Sequence, residues 1–120
     1  ASDVYKRQDF AEVLNYADES TFIYYDPPYR PISETSNFNS YSSLEFNDDE
    51  QKRLRDVFTK TSKQGALQIL SNSDPTNYID DPFFDELYQD FNISRILASR
   101  MINSKGKKRG KIREILVNNY

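Results

Sequence analysis

The sequence predicts an α/β layered fold whose mainly parallel sheet ends in a C-terminal antiparallel strand. Three observations carry that prediction. Short β-rich apolar runs alternate with amphipathic segments of helical period, the order expected of a layered α/β domain. The first run, "TFIYY" at 21–25, is apolar almost throughout, the pattern of a strand covered on both faces within a parallel sheet. The last two runs have no helix between them, so they are expected to pair as an antiparallel hairpin.

Element by element, "DFAEVLNY" at 9–16 sets Phe10, Val13 and Leu14 at helical spacing and reads as the end of a packed helix. The strand at 21–25 must stop at Asp26-Pro27-Pro28, because neither proline can donate to a ladder. A seventeen-residue stretch follows, "RPISETSNFNSYSSLEF", rich in Ser, Asn and Thr and studded with Ile32, Phe38, Tyr41 and Phe46. Loops of that length inside small domains are usually functional or mobile. A helix then begins at Asn47 as N-cap, with Glu50 in capping-box position and Asp48 and Asp49 favouring the positive end of the dipole. Leu54, Val57, Phe58 and Thr61 form its inward stripe, and Gly65 marks its end.

"ALQILSN" at 66–72 reads as a second buried strand, closed by the turn-forming "SNSDP". Asp81-Pro82 supplies an N-cap followed by proline at the first helical position, with Phe83, Phe84, Leu87 and Tyr88 as the buried face. "NISRILASR" at 92–100 and "IREILVNN" at 112–119 are the final strands, separated by the turn or loop "SKGKKRGK".

Composition narrows the chemistry. With no Cys and no His, disulfides, thiolate metal sites and imidazole bases are excluded, so any catalysis rests on carboxylates, hydroxyls, amides and aromatic faces. No apolar run approaches the roughly 20 residues of a bilayer-spanning helix, and a cytoplasmic, reducing compartment is expected. The net charge of −3 conceals an asymmetry: residues 1–90 hold 8 basic and 18 acidic side chains, residues 91–120 hold 8 basic and 1 acidic. Only the C-terminal segment is suited to an anion, the alternative being an ordinary solvated face. The 120 residues make one small domain or a piece of a larger protein. Because "ASDVYKRQ" has neither signal-peptide nor transit-peptide character, the chain is expected to begin partway into a longer protein, with 1–8 non-native.

The stretch "YYDPPYRP" concentrates the functional signal. Ligands of open α/β sheets sit beyond the carboxyl ends of the strands. There, two prolines would hold Asp26 and several carbonyls in a rigid bend, and a carbonyl before proline meets no amide donor from that proline. A carboxylate beside a free carbonyl can receive both hydrogens of an NH₂ group, while the ring of Tyr29 offers a flat surface to a heterocycle. The competing reading is a plain proline turn after a strand.

"DPPY" after a hydrophobic strand, then "YRPISETSNFNSY" at 29–41, "LSNSD" at 70–74, "RMINS" at 100–104, "KKRG" at 107–110 and "EILVNNY" at 114–120 occur in this order. In these motifs, over about residues 20–120, the chain resembles the DNA adenine-N6 methyltransferases of the DNA adenine methylase type (D12 class). The resemblance implies the C-terminal portion of a Rossmann-like catalytic domain that uses S-adenosylmethionine to methylate N6 of an adenine flipped out of double-stranded DNA, in a bacterial or phage setting. Asp26, Pro27, Pro28 and Tyr29 would be catalytic, Asp26 and the Pro27 carbonyl receiving the amine while Tyr29 stacks on the base. Tyr25 (or Tyr24) and Asp26 would border the cofactor.

On the same footing Phe38 and Tyr41 would close over the flipped base, and Asn72, with Asp74, would reach the site, unless both serve turn chemistry alone. Lys105, Lys107, Lys108 and Arg109, with Arg100, Lys111 and Arg113, would meet phosphate. The chain departs from the family in lacking a glycine-rich F-x-G-x-G turn, since its only glycines are Gly65, Gly106 and Gly110. The region that selects the DNA sequence is absent too. The expected partner is therefore the missing N-terminal half, and the 120 residues alone are expected to be inactive. Two other functions fit: methylation of RNA or another amine through the same motif, and nucleic-acid binding without chemistry.

Overall fold

The structure, a computed structural model, describes residues 9–31, 46–77, 79–101 and 109–120. A 3-10 turn at Phe10–Asn15 leads into strand β1 (Phe22–Tyr25), helix α1 (Asp48–Lys63), strand β2 (Leu67–Ser73), a second 3-10 turn at Pro75–Asn77, helix α2 (Phe83–Leu87), and strands β3 (Asn92–Met101) and β4 (Arg109–Asn118). The four strands lie in the order β1-β2-β4-β3.

The expected alternation of elements is present, but the mainly parallel sheet is corrected. Only β1 and β2 pair in parallel, Phe22 opposite Leu67 and Tyr25 opposite Leu70. Strand β4 inserts between β2 and β3 and is antiparallel to both, so two of the three seams are antiparallel. β1, β2 and β3 thus share a direction that β4 reverses. The expected C-terminal hairpin forms, with Asn92 opposite Asn118 and Met101 opposite Arg109.

α1 begins and ends where its capping residues place it. The Asn47 side chain accepts the Glu50 amide at 3.0 Å, and the chain leaves through Gly65 at φ 102°. The Glu50 carboxylate is taken up by Arg53. α2 starts one residue later than expected, with Pro82 itself at the cap, while Asp81 Oδ1 accepts the Phe83 amide at 3.0 Å. The segment at 9–16 is a 3-10 turn, not an α-helix end. It packs on α1 through Phe10, over whose ring the Arg53 guanidinium lies at 4.0 Å.

The core fills one side of the sheet. Tyr25, Leu70, Ile115 and Val117 face Leu54 and Phe58 of α1 and Phe84 and Tyr88 of the α2 region; each such side chain contributes roughly 1.5–3 kcal/mol by burial. Gln68 fixes the helix to the sheet: its Nε2 donates to the Phe58 carbonyl at 2.7 Å, and its Oε1 accepts from Tyr25 and Thr61. Side chains alternate across a strand, so Phe22, Tyr24 and Leu67 project to the opposite side, where they are 59%, 57% and 49% exposed. β1 is therefore covered on one face, contrary to the expectation of two. Among the described residues no helix is long and apolar enough to cross a membrane.

Candidate active site

Because β1 and β2 are parallel neighbours, their carboxyl ends meet at one rim of the sheet. The chain leaves β1 there and continues without regular structure through Asp26-Pro27-Pro28-Tyr29, each proline fixing its own φ. The segment is held along its length. The Pro28 carbonyl accepts Gln51 Nε2 at 3.3 Å, the Arg30 amide donates to Asn72 Oδ1 at 2.9 Å, and the Ser73 hydroxyl donates to the Arg30 carbonyl at 2.6 Å. Asn72 also donates to Gln51 Oε1 at 3.3 Å, which joins the two buried amides into one bracket.

Asp26, Pro27, Pro28 and Tyr29 thus stand together in one segment directly after β1, and the Asp26 side chain is exposed at the rim. Ser71 Oγ donates to Asp26 Oδ1 at 3.4 Å and lies 3.1 Å from the Tyr24 hydroxyl. The Tyr29 hydroxyl donates to Glu114 Oε1 at 3.4 Å. Burial raises the Tyr29 pKa, offset in part by the Ser71 hydroxyl, and the charges of Glu114 and Asp26 raise it further. Tyr29 therefore keeps its proton at neutral pH. Tyr24, Ser71 and Glu114 all project from the open face of the sheet, so this polar cluster borders the exposed apolar side chains of β1.

Other expected residues stand elsewhere. Tyr25 points to the helix side, its hydroxyl 3.1 Å from Thr61 Oγ1 and donating to Gln68 Oε1 at 3.0 Å, while Tyr24 is the tyrosine on the face of Ser71. Asn72, expected to contact substrate or DNA, is fully buried, with its amide engaged by Arg30, Ser73 and Gln51. Those bonds hold the segment that follows β1. Asp74 is buried as well: desolvation would raise its pKa, but the hydrogen bonds from Thr76 and Arg95 outweigh it and hold the carboxyl low. Arg113, counted with the basic cluster, lies 3.5 Å from Asp74 and donates to the Thr76 carbonyl. Arg109 opens β4, its Cα opposite that of Met101. Phe38, Tyr41, Lys105, Lys107 and Lys108 lie outside the described residues.

Ser71, Glu114 and Arg30 were missed as site residues. Glu114 carried a signal, as the single acid among the charged residues of 91–120. Arg30 carried one too, as a cation set between prolines directly after the turn.

With this geometry in place, comparison with known proteins gives a consistent answer. Residues 2–102 match the family model of the D12 class N6 adenine-specific DNA methyltransferases. Type II methyltransferase M.MjaIII of Methanocaldococcus jannaschii is 49% identical over 113 residues, which cover 93% of this chain and 37% of that protein. Type II methyltransferase M1.LlaDCHI of Lactococcus lactis subsp. cremoris is 45% identical, over 93% of this chain and 37% of its own length. DNA adenine methylase of Vibrio cholerae is 35% identical, over 89% and 37%. The chain spans little more than a third of the length of these curated relatives.

Proposed function

This chain belongs to the D12 class N6 adenine-specific DNA methyltransferase family, and from that premise we propose that it carries the target-amine pocket of such an enzyme. The observation that supports this most is the segment after β1 at the rim, where Asp26 stands exposed beside the proline-fixed Pro27 carbonyl and Tyr29. An exocyclic amine is a poor nucleophile because its lone pair is delocalised into the ring. Two fixed acceptors for its N–H groups favour pyramidal nitrogen and stabilise the positive charge that develops there during in-line attack. Asp26 and the Pro27 carbonyl take that role, and Tyr29 stacks on the base. The surplus proton leaves after transfer, so Asp26 need not be a strong base. A paired adenine hides its amine, so the base must leave the duplex first.

When bound, S-adenosylmethionine supplies an electrophilic methyl group on a sulfonium. The residues present fit one wall of its site: the exposed Tyr24 ring beside Asp26 is an aromatic face that attracts a cation. The glycine-rich turn belongs to the remainder of the protein, which we assign to the open face of the sheet and the outer edge of β1. Phe38 and Tyr41 are proposed to close over the flipped base, and Lys105, Lys107, Lys108 and Arg109 to meet phosphate.

The full-length protein bearing this segment is expected to place a labelled methyl group on N6 of adenine in duplex DNA, leaving RNA of the same sequence unmodified. The 120 residues alone are expected to transfer none. Label in RNA but not in DNA would replace this reading with that of an RNA methyltransferase.

A further inference from the structure

We infer that Arg30 is a positioning residue for the reaction, setting the place of Asp26 and Tyr29 without touching substrate. The inference rests on the assignment of the Asp26–Tyr29 segment at the rim as the target-amine pocket. Arg30 joins four parts of the chain. Its main chain is bonded in both directions to the end of β2, the amide to Asn72 and the carbonyl to Ser73. Its guanidinium grips both oxygens of Asp48 at the start of α1, with Nε at 2.8 Å and Nη2 at 3.2 Å. Nη1 reaches Asp81 Oδ2 at 3.0 Å, just ahead of α2, and the group lies 4.1 Å over the Phe83 ring.

Those contacts tie Arg30 to Asp48, eighteen residues further along the chain, and to Asp81. The chemistry is specific to arginine. A planar fork serves two carboxylates and an aromatic face at once, whereas an ammonium supplies one point charge with no planar surface. The consequence reaches Asp26 because the described bond on its own side chain is a long one, 3.4 Å from Ser71. Its placement therefore depends on the main chain of residues 28–30, which Asn72, Ser73 and Gln51 hold directly and which the Arg30 guanidinium ties to Asp48 and Asp81. Small misplacement of an acceptor lowers the rate of attack with little effect on cofactor binding.

The test uses the full-length methyltransferase with Arg30→Gln and Arg30→Lys, reading kcat, the KM for S-adenosylmethionine, duplex affinity and thermal midpoint. The expected result is a kcat lower by about 10- to 100-fold in Arg30→Gln, with the KM and duplex affinity held within about twofold and Arg30→Lys also impaired. Unchanged kcat in both variants overturns the inference. So does a parallel loss of kcat, cofactor KM and thermal midpoint, which marks a general stabiliser. If Arg30→Gln loses its cooperative thermal transition, Arg30→Lys decides by the same two criteria. A wild-type protein that fails to methylate adenine brings down the assignment of the pocket, and this inference with it. Active wild type beside equally active variants brings down Arg30 alone.

Discussion

Tyr24 and Tyr25 show what a residue's neighbours decide that its identity cannot. Both are tyrosines in one apolar run, so the sequence offers no preference for which faces the helices. In the structure Tyr25 is buried and bonded to Thr61 and Gln68, while Tyr24 stands on the open face beside Ser71. Asp26 to Tyr29 were legible as a group because the prolines dictate their local geometry whatever surrounds them. Tyr88 shows an unmet bond at the same scale. Its ring packs edge-on against Phe58 at 5.6 Å, and among the described residues its hydroxyl is the one buried side-chain polar atom without a partner. Burial raises its pKa well above the usual tyrosine value. Leaving such a hydroxyl unpaired costs about 1–3 kcal/mol. Tyr88→Phe keeps the ring and removes the oxygen, so chemical denaturation of the full-length protein should show a gain of about 1 kcal/mol. A clear loss would mean that the hydroxyl is satisfied.

At the scale of elements, the well-marked boundaries are those with explicit capping chemistry. Asn47 and Gly65 bracket α1 because each satisfies a local requirement: a side-chain acceptor for the Glu50 amide, and a φ of 102° that other residues rarely adopt. Gly65→Ala is accordingly expected to destabilise the protein by about 1–3 kcal/mol. A Cβ there would also meet the Glu19 main chain at 3.2 Å. A thermal midpoint equal to wild type would show that the turn relaxes at no cost. Strand pairing was less legible. The runs at 92–100 and 112–119 announce two strands and their hairpin, but nothing in either says that β4 enters the sheet ahead of β3. Asn119 helps to fix that choice: its Oδ1 accepts the Gln68 amide at 2.8 Å, and its Nδ2 donates to the Ala66 carbonyl at 2.8 Å. Such contacts across some fifty residues of chain leave no local pattern to read.

Over the molecule as a whole, the two faces of the sheet are unequal. One is filled by α1, α2 and the aromatic cluster around Phe58. The other exposes Phe22, Tyr24 and Leu67 on neighbouring strands, and Ile96 on β3. Together with a span of 37% of its relatives' length, that asymmetry supports a division of labour. In the proposed reading, the acceptors for the target amine lie on this chain, and most of the methyl donor's site lies outside it. The DPPY motif and the lack of a glycine-rich partner for it were legible in the sequence. The open face itself was hidden, because an apolar strand reads alike whether its cover is present or absent. The most direct measurement is methyl transfer to adenine in duplex DNA by the full-length protein and its Asp26→Ala variant, with duplex binding as the check on folding. The predicted result is N6-methyladenine from wild type and a kcat lower by about 10²- to 10³-fold in the variant, with binding retained. An Asp26→Ala protein that methylates adenine at the wild-type rate would contradict the account.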